Sequence, residues 1–331
     1  MKTRVAINGF GRIGRNLFRL LLNHPSIEVV AINDIADNKT MAHLLKYDSI
    51  HGVLPYPVSF DDKSIIVDGK HYLFFHERDI ANLNWKLLTI DFVVECTGKF
   101  STFEDVNRHI LAGANKVILS APSEISEIKT IVLGVNENIL DGTEKIVSNA
   151  SCTTNNAAPM IKVIDELCGI EQAYITTVHS YTTDQSLHDQ PHKDLRRARG
   201  ASQSIVPTTT GAAKALTKIF PEMEGKIGGS GIRVPVPDGS LTDITCYVKK
   251  KVTIEEINAA FKLASQTSLK GILDYTEDPI VSVDIIGNQN SCLFDSQLTS
   301  VIGKMVKIVG WYDNEIGYSS RIIDLILLLK K

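Results

Sequence analysis

The sequence predicts an α/β protein of two domains, on three observations. At 331 residues it is longer than one ordinary hydrophobic core supports. Its first 150 residues alternate short β-branched runs with helical patterns, the signature of a parallel sheet covered on both faces. Beyond residue 152 the strand-like runs become longer and alternate in polarity, as in an antiparallel sheet with helices on one side.

Taking the elements in order, Val5-Ala6-Ile7 forms a first strand and residues 12–22 a helix, with Ile13, Leu17 and Leu20-Leu21 on one face. Between them lies Gly9-Phe10-Gly11-Arg12-Ile13-Gly14, a G-x-G-x-x-G string that follows a strand and opens a helix. Its glycines allow a tight turn, approach of a pyrophosphate and close helix–strand packing, while the helix N-terminus attracts phosphate. Val29 to Ile32 is the second strand, and Asp34 stands at its end, about 20 residues after the last glycine, as the Rossmann fingerprint requires. A carboxylate there accepts hydrogen bonds from ribose hydroxyls and repels a 2′-phosphate, so NAD is expected over NADP. The bland alternative is a glycine turn beside an incidental surface aspartate. Phe92 to Glu95, Lys116 to Leu119, Ile131-Val132-Leu133 and Ile146-Val147 complete the series of strands.

In the second half, residues 173–178 and 230–250 are expected as strands and 253–268 as a helix starting near Thr253. The polar, basic stretch 180–205 is a long loop, of a kind that is usually functional or packs against a partner subunit. The tail Ile322 to Leu329 is too apolar for a free end and is expected to dock as a helix on the first domain.

Composition narrows the function classes. With 44% hydrophobic and 22% charged residues the chain is an ordinary globular one, and a net charge of −3 gives no reason to invoke nucleic acid or an anionic membrane. No apolar run approaches the roughly 20 residues of a membrane-spanning helix, and the N-terminus lacks a signal-like stretch. Five scattered cysteines without a C-x-x-C pair indicate neither a disulfide framework nor a zinc site, and fit a reducing cytoplasm.

The most telling string is Ser148-Asn149-Ala150-Ser151-Cys152-Thr153-Thr154-Asn155, directly before an apolar helical run. It places a thiol at a helix N-terminus, where unpaired N–H groups and the macrodipole favour an anion and are expected to lower the thiol pKa. Cys152 is thus a candidate nucleophile, against the alternative of a small buried hydrophobe. Among nine histidines, His179 ends the strand-like run Ile175 to Val178 and is the leading candidate for its base. Pro207 to Lys214 puts hydroxyls and a glycine at a helix start, suited to an anion. Arg233, in an apolar strand, either meets a structural carboxylate such as Asp243 or binds a ligand phosphate. Arg196, Arg197 and Arg199 could equally be a solvated charge run.

Together these segments, with Leu44 to Ser49, His179 to Thr182, Pro191 to Arg197 and Trp311 to Glu315, resemble the phosphorylating glyceraldehyde-3-phosphate dehydrogenases along nearly the whole chain. The resemblance implies an NAD-binding domain of residues 1–148 completed by helix 316–331, a catalytic domain of 149–315, and a homotetramer. It implies Cys152 as nucleophile and His179 as its activating base. Arg12 and Ile13 would hold the pyrophosphate, Asp34 the ribose, Arg78 the adenine and Asn314 the nicotinamide amide, with Thr97 and Ser120 lining the cleft. Thr182 and Arg233 match the pocket for the phosphate of glyceraldehyde 3-phosphate. Ser151, Thr153, Arg197, Thr210 and Gly211 match the site of the incoming inorganic phosphate.

The sequence departs from the family pattern in places. Asn156 replaces the usual second cysteine, and Gln190 replaces leucine before Pro191. Gly228-Gly229-Ser230-Gly231 replaces bulkier residues, and is expected to loosen the strand leading to Arg233. Ile316 is expected to pack conservatively. The alternatives are an erythrose-4-phosphate dehydrogenase, disfavoured by Thr182, and a catalytically silent NAD-binding protein, disfavoured by the intact Cys152, His179 and Arg233.

Overall fold

A computed structural model describes residues 1–100 and 102–330. They fall into two compact units, one of residues 1–131, 138–150 and 319 onward, the other of 132–137 and 151–318.

In the first unit the chain runs β1 (Thr3–Asn8), α1 (Arg12–Leu21), β2 (Ile27–Asn33), α2 (Asn38–Lys46), the short pair β3 (Tyr47–Asp48) and β4 (Gly52–Val53), and then β5 (Val58–Phe60), β6 (Ser64–Val67) and β7 (Lys70–Phe75). It continues through β8 (Phe92–Glu95), α3 (Phe103–Leu111), β9 (Lys116–Leu119), β10 (Lys129–Thr130) and β11 (Ile146–Ser148). Among the described residues nine strands form one sheet, ordered β10-β11-β9-β8-β1-β2-β7-β6-β5. Pairing is parallel from β10 to β7, and β6 and β5 add an antiparallel edge. The continuous apolar runs make this possible: Val5, Ala6, Ile7, Val93, Val94, Val117 and Ile118 are fully buried, as both-face coverage of a parallel sheet demands. Because β2 and β8 flank β1 on opposite sides, the order reverses at β1, and the crevice beyond the strand ends there is where such sheets bind ligands.

One expected strand is displaced. The ladder holds Lys129–Thr130, whereas Val132 gives its N–H to the Asn136 side chain at 2.8 Å, so the apolar run 131–133 is buried without being a strand. The antiparallel edge β5–β7 was not anticipated, since its alternating runs are short and half exposed.

The second unit begins with α4 (Cys152–Cys168) and continues through β12 (Ile170–Ser180), β13 (Val206–Thr208), α5 (Ala212–Ile219), β14 (Ile227–Val234), β15 (Ser240–Val248) and α6 (Ile254–Gln266). β16 (Leu273–Thr276), β17 (Cys292–Asp295), β18 (Ser300–Ile302) and β19 (Met305–Tyr312) complete its sheet. The order is β13-β14-β12-β15-β19-β17-β16, with β18 on β19, mainly antiparallel but parallel between β12 and β14 and between β16 and β17. Helix α6 starts with a capping box, Thr253 and Glu256 bonding each other's backbone N–H. Helix α4 lies so close to β19 that a Cβ at Gly310 would meet Cys292 Sγ at 2.6 Å and Met160 Sδ at 2.7 Å. Helix α7 (Ile316–Leu329) starts earlier than the apolar tail suggests, and from Ser319 it belongs to the first unit, where Lys116 Nζ donates to Leu329 O at 3.0 Å. Among the described residues no helix is long and apolar enough to cross a membrane.

Candidate active site

The first unit carries a cavity of about 450 Å³ at the C-terminal ends of β1, β2 and β8, lined by Gly9, Gly11, Asp34, Arg78 and Thr97 among others. The three glycines of the fingerprint play separate parts. Gly9 has φ +93°, and a Cβ there would lie 2.6 Å from Thr97 N. At Gly14 a Cβ would lie 2.2 Å from Gly9 O, so only glycine lets α1 pack against the turn. A Cβ at Gly11 would meet nothing within 4 Å, and α1 has no side-chain cap there. That leaves open space beside the start of α1 at Arg12 and Ile13, the arrangement an anion needs. Asp34 accepts from Phe10 N at 2.7 Å and Ala36 N at 3.0 Å, fixing its carboxylate at the cavity with lone pairs to spare. The Arg12 side chain is engaged elsewhere, in a two-bond pair with Asp48 at 2.5 and 3.1 Å. Ser120 follows β9, its N–H donating to Glu95 O at 2.9 Å.

In the second unit Cys152 opens α4, and the Ser151 side chain caps the helix by accepting from Thr154 N at 3.1 Å. The chain enters this turn through Ala150, held at φ +56°, a conformation that costs a non-glycine residue about 1 kcal/mol or more. Cys152 Sγ lies 3.4 Å from His179 Nε2. His179 sits near the end of β12, and the parallel register pairs it directly with Arg233 of β14. Arg233 Nη1 is consequently 2.5 Å from His179 Nδ1 and 3.0 Å from Ser180 O. His179 Nδ1 also lies 2.8 Å from Ser180 O, so it faces a carbonyl acceptor as well as the guanidinium, and Nε2 is the ring nitrogen turned to the sulfur. Burial, then the Arg233 cation, push the His179 pKa down to about 3.

The thiol does not behave as the helix position suggests. Burial pushes the Cys152 pKa up, the Arg233 charge and the Thr153 bonds pull it down, and burial wins. The expectation of a lowered value is thereby corrected for the free chain: a helix N-terminus is a weak attraction beside desolvation. Nor does Arg233 pair with Asp243, which is bonded to Lys307 at 2.7 Å. The glycines before Arg233 do not loosen β14 either. It stays paired from Ile227 to Val234, with Tyr174 so close that a Cβ at Gly228 would meet its ring at 3.0 Å.

The other anion-matching residues gather in the same unit. Arg197 bonds Asp184 at 2.6 Å, Thr208 Oγ1 at 2.9 Å and Thr209 O at 3.3 Å, so it is built into the loop and is not a solvated charge. Thr210 Oγ1 accepts from Ala212 N at 3.2 Å, and Gly211 precedes α5 without a side-chain cap. Thr182 is half-buried just beyond β12. Asn314 Oδ1 accepts from Ser180 Oγ at 2.9 Å and Ser240 Oγ at 2.7 Å, which orients its amide. The structure gives contacts to two residues for which the sequence offered no role. Tyr312 OH bridges Thr153 and Thr177 at 2.9 and 3.0 Å, and its ring packs edge-on to His179. Asn156 donates to Ser291 O and Trp311 O, both at 3.2 Å, tying α4 to β19.

Two family models match. The description "Glyceraldehyde 3-phosphate dehydrogenase, NAD binding domain" covers residues 3–103, and "Glyceraldehyde 3-phosphate dehydrogenase, C-terminal domain" covers residues 151–314. The chain belongs to this family. A glyceraldehyde-3-phosphate dehydrogenase of Geobacillus stearothermophilus is 54% identical over 327 residues, spanning 98% of this chain and 97% of the relative. Glyceraldehyde-3-phosphate dehydrogenase 1 of Bacillus subtilis is 51% identical, spanning 100% and 99%. A Mycobacterium bovis relative of the same name is also 51% identical, over 100% and 99%. The family's NAD-binding domain thus contains the Gly9–Gly14 turn and the cavity-lining residues, so the cofactor is NAD and the first sheet is of Rossmann type. The C-terminal-domain match begins one residue before Cys152. All three relatives bear the glyceraldehyde-3-phosphate name, and none favours the erythrose 4-phosphate alternative.

Proposed function

We propose that this protein oxidises glyceraldehyde 3-phosphate to 1,3-bisphosphoglycerate, using NAD and inorganic phosphate. The observation that carries the reading is Cys152 Sγ 3.4 Å from His179 Nε2, with Arg233 beside the imidazole. The unit holding Gly9, Gly11, Gly14 and Asp34, completed by the C-terminal helix, serves as the NAD-binding domain, and the other as the catalytic domain. Open space at Gly11, the uncapped start of α1 at Arg12 and Ile13, and the Asp34 carboxylate fit a pyrophosphate and a ribose. Arg78 contacts the adenine, Thr97 and Ser120 line the cleft, and Asn314 holds the nicotinamide amide. When bound, NAD supplies the hydride acceptor.

Cys152 Sγ attacks the aldehyde carbon as His179 Nε2 takes the thiol proton. His179 returns that proton to the carbonyl oxygen, giving a thiohemiacetal. It takes the hydroxyl proton back as the hydride leaves, and inorganic phosphate cleaves the thioester that remains to an acyl phosphate, with Cys152 leaving as the thiolate. Thr182 and Arg233 hold the phosphate that stays on the substrate. Ser151, Thr153, Arg197, Thr210 and Gly211 hold the one that attacks. Drawing Arg233 to the substrate phosphate would also release Nδ1 and let the imidazole take up a proton. We place the protein in the cytoplasm as a homotetramer, in keeping with five unpaired cysteines and exposed Leu187, Leu195 and Ile205 in its long basic loop. NADH absorbance with glyceraldehyde 3-phosphate tests the reading: turnover is expected only when phosphate or arsenate is present. Equal steady turnover without either anion would defeat it.

A further inference from the structure

Beneath the nucleotide cavity lies a polar network that the reaction above does not use. Glu95, at the end of β8, and His109, on α3, are 1% and 0% exposed. Glu95 Oε1 accepts from Thr97 N at 2.7 Å and Thr97 Oγ1 at 2.5 Å. Its Oε2 accepts from Asn8 Nδ2 at 2.5 Å and lies 3.1 Å from His109 Nε2. Trp85 Nε1 donates to His109 Nδ1 at 3.1 Å, so Nδ1 is the acceptor and Nε2–H points at the carboxylate. On the far side Asn33 Nδ2 donates to Asn8 Oδ1 at 2.7 Å, and Asn33 Oδ1 accepts from Glu77 N at 2.9 Å.

One buried carboxylate is therefore met by four donors, which is what makes its burial tolerable. Its partners are not scattered through the core. Thr97, Asn8, Asn33 and Glu77 all line the cavity, and the Gly9 turn rests against Thr97 with no room for a Cβ. We propose that Glu95 and His109 are positioning residues for the dinucleotide, holding Thr97, Asn8 and the Gly9 turn in the geometry that receives it without touching it. This rests on the reading that the cavity takes NAD.

Calorimetric titration of the full-length protein with NAD, alongside steady-state kinetics, tests the inference. In Glu95→Gln an amide NH2 must face either the two Thr97 donors or the Asn8 and His109 donors. The Kd for NAD should rise about tenfold or more while the KM for glyceraldehyde 3-phosphate holds within about twofold. His109→Leu should do the same, whereas His109→Gln, able to accept from Trp85 and donate to Glu95, should stay within about threefold of wild type. The His109 pair carries the test should Glu95→Gln not fold. A wild type that binds NAD beside a Glu95→Gln or His109→Leu that binds it equally well would overturn this inference alone. So would a KM rising in step with Kd, or a His109→Gln as weak as His109→Leu. A wild type that binds no NAD would overturn the cofactor reading as well.

Discussion

Cys152 and His179 share the Arg233 cation, which acts on the charge of each in opposite directions. Arg233 favours the thiolate and disfavours the imidazolium, while burial opposes charge on both Cys152 and His179. Replacing Arg233 by glutamine removes the attraction on sulfur, so the pH midpoint for alkylation of Cys152 by iodoacetamide should move up. A midpoint that moves down would show that Arg233 acts on the thiol in the opposite sense. Asp34 offers a second test. Asp34→Gly removes the carboxylate that repels a 2′-phosphate, and the kcat/KM ratio of NADP to NAD should rise by about tenfold or more. An unchanged ratio would remove Asp34 from the ribose site. Cys152 and Asp34 stood out because each lies in a short string whose chemistry is local. His179 was one of nine histidines and Arg233 was left between a carboxylate partner and a phosphate, so their roles rested on the family resemblance. The thiol's electrostatics were not legible. They depend on how deeply Sγ is buried and on a register that brings Arg233, 54 residues away, onto the imidazole.

At the scale of elements, the glycine turn shows how backbone spacing creates the nucleotide site. Gly14→Ala would force a Cβ to within 2.2 Å of Gly9 O, a clash of backbone with backbone that no side-chain rotation relieves. It should lower stability by about 1–3 kcal/mol, read in thermal or urea unfolding, and weaken NAD binding. Native stability and affinity in that variant would mean α1 is not packed on the turn. The parallel strands were readable because runs such as Val5-Ala6-Ile7 and Phe92 to Glu95 are buried on both faces, leaving no polar alternation to mislead. The same logic failed at residues 131–133, which are equally apolar: Ile131 still donates to Ser148 O at 2.8 Å, but Val132 turns its N–H to the Asn136 side chain and the ladder stops there. Strands β5 to β7 carried too weak a pattern to stand out, β5 and β6 being only three and four residues long and β7 opening on two exposed polar residues.

For the whole molecule, length and the change of strand pattern after Cys152 conveyed two sheets of different kinds, one parallel and one mainly antiparallel. The apolar tail likewise announced that it could not be free, and α7 is buried along most of its length. What no run of residues states is which surfaces meet another copy. Leu187, Leu195 and Ile205 are 63%, 82% and 69% exposed, more apolar surface than one polar loop should offer to water. The proposed homotetramer predicts a sedimentation-equilibrium mass of four times the 36.4 kDa chain. A monomer mass at micromolar concentration would leave those side chains without an explanation.

The central claim is that Cys152 carries the acyl group between oxidation and phosphorylation, and rapid mixing of enzyme, NAD and glyceraldehyde 3-phosphate without phosphate tests it most directly. A burst of NADH equal to the enzyme sites is expected, with turnover resuming when phosphate is added and neither phase in Cys152→Ser. A Cys152→Ser protein that still gives the burst would contradict it.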